Sequence, residues 1–312
     1  MWDQTELKVE NSKAHSNDSI QSYLYDVSGS DHGNVFLVCG SKNFLFDAGM
    51  AWCGAKMVER VKEQLKGGKL DYVFLTHSHY DHISGIPYIR EEWPDVIVVT
   101  APHGKIVMEK ESARRVMREM NEAAASVYGL SAPVYDEKEL RADLALEDGQ
   151  TVDLNEWHVT AIAAPGHTRD CLAYWIKRDG CRETMMVCCE TAGVYVDEIG
   201  FTPCFLVGFQ MSLDSIGKMQ QVGADILIGP HYGILDQEKI PDIWEQCVRD
   251  TKRAGERMME AIAWTDNVDE QIRYLAGDYW PEQIRPYQPY EAYAVNMKNM
   301  LATIRREMGE KG

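Results

Sequence analysis

The 312-residue chain has no run of about 18 apolar residues, so a membrane-spanning helix is not expected. Its start, from Met1 to Lys8, is polar and lacks the apolar centre of a secretory leader. There is no Cys-x-x-Cys pair. The eight cysteines (Cys39, Cys53, Cys171, Cys181, Cys188, Cys189, Cys204 and Cys247) sit mostly inside apolar runs, which fits reduced thiols in a cytoplasmic protein rather than a disulfide framework. Basic residues are scarce: 32 Lys and Arg face 49 Asp and Glu, a net charge of −17. Such a surface repels phosphate backbones, and no Lys/Arg cluster offsets it, so nucleic acid and membrane are not the expected partners. Low-complexity tracts are also missing. What remains is an ordinary soluble composition, long enough for one large domain or two modest ones.

Against these absences stands one dense stretch, Thr76-His77-Ser78-His79-Tyr80-Asp81-His82. Leu70 to Leu75, rich in aromatic and β-branched residues, reads as a buried strand that delivers it. His77 and His79 are two apart, so an extended segment points both imidazoles to one side. Asp81 and His82 follow where a helical pattern begins at Ile83, and can face a second position nearby. Three His and one Asp within six residues, in a chain with nine His, point to a site for two metal ions side by side.

Two halves of the chain repeat one order: hairpin, acidic corner with glycine, helix, apolar strand, histidine. In the first half these are Asn34–Cys39 with Asn43–Asp47, Asp47-Ala48-Gly49, a helix over 55–65, the strand 70–75, and His77. In the second they are Leu172–Ile176 with Glu183–Cys189, Glu190-Thr191-Ala192-Gly193, a helix over 213–222, the strand 225–228, and His231. Two β-rich layers related by an approximate twofold would gather their ligands at one edge. Between the halves, residues 105–128 read as one long helix or two with an apolar stripe of Val116, Met117, Met120, Ala124 and Val127, and 152–164 as strand. Beyond residue 240 the pattern is helical. Ile243, Trp244, Cys247 and Val248 share a face, Asn267 to Glu270 resembles a capping box, and Tyr293, Met297, Met300, Leu301 and Ile304 form a last stripe.

The Thr-His-x-His-x-Asp-His run resembles the motif of the metallo-β-lactamase-fold superfamily, and the resemblance extends over roughly residues 23–233. It implies an α/β protein: a four-layer αβ/βα sandwich over 1–240 with a helical insertion near 105–128, and a C-terminal helical addition over 241–312. It also implies that His77, His79 and His167 hold one metal while Asp81, His82 and His231 hold the other. His167 lies in Pro-Gly-His-Thr and His231 in Gly-Pro-His-Tyr-Gly. Zinc suits these nitrogen and oxygen donors, as do iron and manganese. Where the family carries a bridging Asp, this chain has Glu190, one methylene longer. Glu190 would bridge with its backbone set back, bind one metal only, or occupy the place of the attacking water. Asp47 is either a support for a ligand histidine or a plain turn acid before Gly49, and His15, His32, His103 and His158 match no motif. The activity implied is hydrolysis of a small ester, thioester or lactone by a metal-bound hydroxide. Asp81 and Glu190 would stand at the reaction centre, and Tyr232 would donate to the developing oxyanion. Phosphodiester hydrolysis is the alternative within enzymes, and a regulatory metal-binding protein plugged by Glu190 the alternative outside them. The surplus apolar stripes favour a homodimer.

Overall fold

The computed structural model describes residues 19–30, 35–240, 242–285 and 288–309. The polar start of the chain with His15, His32 in its turn, and Pro241 lie outside the described residues. One six-stranded sheet runs in chain order: β1 (Leu24–Asp26), β2 (Phe36–Val38), β3 (Phe44–Phe46), β4 (Tyr72–Phe74), β5 (Ile97–Thr100) and β6 (Leu144–Ala145). The later chain supplies β7 (Thr151–Leu154), β8 (Trp157–Ala163), β9 (Leu172–Arg178) and β10 (Thr184–Val187). A separate hairpin, β11 (Val194–Val196) with β12 (Gly200–Thr202), comes before β13 (Ile226–Gly229) and β14 (Gly233–Leu235). The second six-stranded sheet has the order β14-β13-β10-β9-β8-β7. In both sheets a hairpin strand then pairs parallel with the strand whose end carries a histidine. β3 is antiparallel to β2 and parallel to β4, and β10 is antiparallel to β9 and parallel to β13. The echo between the two halves is therefore a repeat of topology.

Period-two alternation explains the layering. Phe36, Val38, Phe44, Phe46 and Phe74 turn inward and meet Trp157, Tyr174, Ile176 and Met185 of the other sheet. Phe44 to Trp157 (5.8 Å between ring centroids) and Phe46 to Tyr174 (5.5 Å) are cross-sheet ring contacts, each worth about 0.5–1.5 kcal/mol beyond the area it buries. The alternate residues Leu37, Leu45 and Val73 turn outward. They pack against α1 (Gly54–Leu65), α2 (Tyr80–Ile83), α3 (Ile86–Glu92), α4 (Pro102–Glu109) and α5 (Glu111–Val127), through Met57, Val61, Ile83, Ile86, Met108 and Met117. On the outer face of the second sheet Ala173, Met186 and Leu227 are covered by Ile216 and Met219 of α6 (Phe209–Val222) and by Ile243 and Cys247 of α7 (Ile243–Trp264). The result is the four-layer sandwich expected. With α8 (Val268–Tyr279) and α9 (Tyr290–Gly309), α7 builds a further cluster in which Tyr293, Met297, Met300, Leu301 and Ile304 are all buried. Asn267 caps α8, its side chain accepting from the backbone of Asp269 and Glu270 at 3.0 and 3.3 Å.

One open alternative is decided and two local expectations are corrected. The 105–128 region is two helices, because Lys110 takes an extended ψ of 124° between α4 and α5. The buried face of α5 is Met117, Asn121 and Ala125, whereas Val116, Met120 and Val127 are exposed. Asn121 displaces the stripe: its amide donates to Ser84 and accepts from the backbone of Ala51, so a polar residue occupies the inner face. The region read as one strand over 152–164 is the hairpin β7–β8, turning at Asn155 with φ 63°. All eight cysteines are free thiols, and no described helix is long and apolar enough to cross a membrane.

Candidate metal centre

Parallel pairing of β3 with β4 sets Asp47 beside Thr76 at the C-terminal edge of the first sheet. Asp47 takes φ 57°, a left-handed conformation that costs a residue with a side chain on the order of 1 kcal/mol. Its buried carboxylate offsets this by accepting from the Thr76 backbone (2.7 Å), the Thr76 hydroxyl (2.9 Å) and His82 Nδ1–H (2.8 Å). With its proton committed to Asp47, the Thr76 hydroxyl is free to accept from His77 Nδ1–H at 3.1 Å. Two histidines are thereby held with Nε2 pointing into the site, a tautomer set by hydrogen bonding. Of the two readings of Asp47, the structure supports the one in which it holds a histidine.

The helix starts earlier than its apolar pattern, at Tyr80 instead of Ile83, so Asp81 and His82 lie in its first turn. Ala48 donates to the His82 carbonyl at 2.7 Å and fastens that turn to the Asp47 corner. Gly85 is needed where the two segments meet, since a Cβ there would stand 2.0 Å from the Ala48 carbonyl oxygen. His167 comes from the second sheet, on the turn between β8 and β9, and its Nδ1–H donates to the Cys204 carbonyl at 2.8 Å. Glu190 follows β10, and His231 sits at the tip of the β13–β14 hairpin, after Pro230, with φ 54°. Leu172 donates to the Thr76 carbonyl (2.8 Å) and the Tyr174 hydroxyl to the Leu75 carbonyl (2.7 Å), locking the two sheets together under the site.

The seven candidate ligands of the sequence meet at this edge in two groups: His77, His79 and His167, and Asp81, His82, Glu190 and His231. Within each group the donor atoms lie within 4.8 Å of one another. His167 Nε2 is 2.9 Å from His79 Nδ1. Asp81 Oδ2 is 3.5 Å from His231 Nε2 and 3.7 Å from His82 Nε2. The Glu190 carboxylate lies between the groups, Oε1 at 2.9 Å from both His82 and His231 and at 3.8 Å from His77, and Oε2 at 3.2 Å from His167.

Burial drives the His77 and His79 pKa values down, that of His79 to about 4, with neighbouring histidines adding to the effect. Both rings are neutral at physiological pH and keep a lone pair. In the other group burial also disfavours charge, but Asp47, Asp81 and Glu190 override it for His82, and Glu190 does so for His231; both are raised. For Glu190 burial favours the neutral acid, yet His167, His231 and His82 hold the carboxyl well below its usual range. The carboxylates thus favour a positive charge at His82 and His231. His77 Nε2 makes the fit to a metal testable on geometry. It is fully buried with no hydrogen-bond partner, a cost of about 1–3 kcal/mol that a bound cation would remove. The donors present suit a divalent ion of the zinc type.

Three features were not legible beforehand. The Thr76 hydroxyl, the Cys204 carbonyl and the Thr191 hydroxyl, which accepts from the His167 backbone at 3.2 Å and donates to the Ala164 carbonyl, all hold ligands in place. A backbone carbonyl leaves no mark in a sequence. Tyr232 is a correction, because its hydroxyl donates to Asp197 at 2.8 Å, and burial together with Asp197 pushes its pKa up to about 12. His158 is a surface residue between Asp153 and Asp179, and His103 is exposed.

A double-sheet sandwich with His and carboxylate groups at the common edge defines the class of protein. The sequence profile of the Metallo-beta-lactamase superfamily matches residues 29–181, which hold His77, His79, Asp81, His82 and His167 but not Glu190 or His231. Residues 29–181 thus carry the domain of this superfamily. It is 23% identical over 256 residues to the metallo-beta-lactamase fold-containing protein ST1585 of Sulfurisphaera tokodaii, spanning 80% of this chain and 87% of that protein. A probable metallo-hydrolase of Bacillus subtilis, YflN, is 28% identical over 129 residues, 40% of this chain and 47% of its own length. Among solved structures, the fold is shared with the family protein TTHA1429 of Thermus thermophilus, at TM-score 0.57 and 15% identity over 88% of this chain and 89% of that one. It is shared also with the ST1585 structure, at TM-score 0.54 and 18% identity over 88% and 93%.

The hydrogen bonds of Asp47 give a first expected outcome. Asp47→Ala removes the acceptor of both His82 and Thr76, and should weaken divalent metal binding about 10–100-fold. A chelator-competition titration measures it, and parent-like affinity would show that Asp47 only shapes the turn.

Proposed function

We propose that the protein is a metal-dependent hydrolase acting on a small ester, thioester or lactone. His77, His79 and His167 would hold one divalent ion, and Asp81, His82 and His231 the other. The observation that carries this reading is the position of Glu190, whose two oxygens face the two groups at 2.9–3.2 Å while the buried His77 Nε2 has no hydrogen-bond partner. Two divalent ions held there would supply an acidified water near neutral pH and a Lewis acid for a carbonyl.

The chain's own residues do the rest. The Asp47–Thr76 pair orients His77 and His82. Glu190 spans both groups and keeps them at a fixed separation. Asp81 and His231, with 18% and 21% of their side chains exposed, and the half-buried His79 mark the side from which a substrate enters. Aromatic rings gather there. Tyr80 follows His79, and its hydroxyl is held protonated by burial with Asp81, Glu190 and Tyr128 nearby. The Tyr128 ring lies tilted against Trp52 at 4.7 Å, and Tyr195 meets Tyr232 at 5.0 Å. Such a rim and a net charge of −17 favour a small, partly apolar substrate over a polyanion. The name of the Bacillus relative, a probable metallo-hydrolase, points the same way.

Elemental analysis of the purified protein should give about two divalent ions per chain. A panel of p-nitrophenyl esters, thioesters, lactones and bis-p-nitrophenyl phosphate should show turnover at the carbonyl substrates. Faster turnover of the phosphodiester would replace this reading with phosphodiester hydrolysis, and protein that takes up no metal would overturn it.

A further inference from the structure

The C-terminal helix is connected to the site by an unbroken series of contacts. The segment 204–208 carries the carbonyl of Cys204, which fixes the His167 ring. That segment is zipped to the His167 turn: Val207 and Gly208 both donate to the Gly166 carbonyl, at 2.9 and 3.3 Å. Gly166 permits the approach. Its φ is 150°, and a Cβ there would meet Ser212 Oγ at 2.2 Å. On the other side the segment is gripped by α9. Thr303 Oγ1 donates to the Leu206 carbonyl at 3.0 Å and Arg306 Nη2 to the Val207 carbonyl at 2.6 Å. Glu307 accepts from the backbone of Phe209 and Gln210, at 2.9 and 3.0 Å, at the N-terminus of α6. Phe205, 1% exposed, is driven into the cluster of Met258, Met297, Met300 and Leu301 made by α7 and α9.

We infer that Thr303, Arg306 and Glu307 of α9 are positioning residues for the metal ligand His167, acting through the backbone of residues 204–210. The inference rests on the metal-centre reading above and goes beyond it by giving the C-terminal helices a role at the site. The physical reason lies in the tautomer. His167 presents an Nε2 lone pair to His79 and His77 only while its Nδ1 proton has an acceptor, and that acceptor is a main-chain oxygen with no side chain to hold it in place. A segment free to shift by about an ångström would lengthen the bond beyond hydrogen-bonding range. The ring could then rotate or move its proton to Nε2. The Asp47 and Thr76 contacts hold His77 and His82 without help from α9, so the effect falls on the His167 group.

The test compares Thr303→Val, which keeps the shape of a buried side chain and removes its donor, with Glu307→Ala and the rescue variant Glu307→Gln. Cobalt(II) is titrated into metal-free protein against a chromophoric chelator, following its visible bands, and the His167 tautomer is read by ¹⁵N NMR of the metal-free protein. Expected are about tenfold weaker binding at one of two cobalt sites in the first two variants, loss of the single Nδ1–H tautomer at His167, and recovery in Glu307→Gln. Parent-like cobalt affinity and tautomer in both Thr303→Val and Glu307→Ala, even with a lowered melting temperature, would reduce α9 to a packing element and overturn the inference alone. A parent protein that binds no cobalt would overturn the metal-centre reading and this inference with it.

Discussion

His79→Ala is expected to lose at least one metal equivalent and its hydrolytic activity, while the fold persists. His79 offers Nδ1 to the group with His77 and His167, and it is only half-buried, at the start of α2. His77 is a poorer choice for this test. It is fully buried against Thr76, so its removal would open a cavity and confound ligand loss with destabilisation. Burial holds the His79 ring neutral, with a pKa of about 4, so the substitution removes a lone pair without altering the net charge near pH 7. A fall in kcat/KM of three orders of magnitude or more is expected, about 4 kcal/mol of transition-state stabilisation. Metal analysis beside a thermal melt of the metal-free proteins decides the matter: unchanged metal content in the variant would sink the ligand assignment.

Substitutions at Glu190 separate a working hydrolase from a plugged site. Glu190 opens a short turn whose neighbours are pinned, Thr191 to the Ala164 carbonyl and to the His167 backbone, and Gly193 at φ 85°. The backbone cannot follow a shorter side chain inward, and Asp in its place falls short by about an ångström. A carboxylate that bridges from this distance should tolerate that change with loss, so Glu190→Asp is expected within about tenfold of the parent. Glu190→Ala removes the carboxylate that lies between His82, His231 and His167, and leaves Asp81 as the one acid of the two groups. It should cost at least about a hundredfold in activity, more than partners of ligands usually cost. An Asp variant turning over about tenfold faster than the parent would reverse the reading. The parent carboxylate would then occupy the place of the attacking water, and the protein would be a regulator rather than an enzyme.

The sequence made much of this legible because both kinds of signal involved are local. Alternation in Phe36–Val38 and Phe44–Phe46 states which side chains face the other sheet, since the pleat alone decides it. The spacing of His77, His79, Asp81 and His82 states a cluster, since four donors so close in the chain cannot lie far apart in space. The last helical stripe, Tyr293 to Ile304, was equally plain, because five apolar residues at helical spacing have one face to bury. The stripe on α5 misled because Asn121, polar in the sequence, is the residue turned inward, where Ser84 and the Ala51 backbone satisfy its amide.

Chain order states the list of donors and the layers that carry them: which residues have lone pairs to offer, and which strands have two apolar faces to cover. How those donors are aimed is set by packing. His167 and His231 could be placed by their motifs but not by distance, since nothing in chain order states that they lie beside His79 and Glu190. The aim of each ring depends on what its other nitrogen touches, and those partners come from remote parts of the chain: Asp47 for His82, and for His167 the Cys204 carbonyl, on a segment held by α9. Hydrogen bonds of this kind act over about 3 Å whatever the separation along the chain, and the one to His167 ends on a backbone atom that every residue possesses. Such contacts exist only once the sheets have packed.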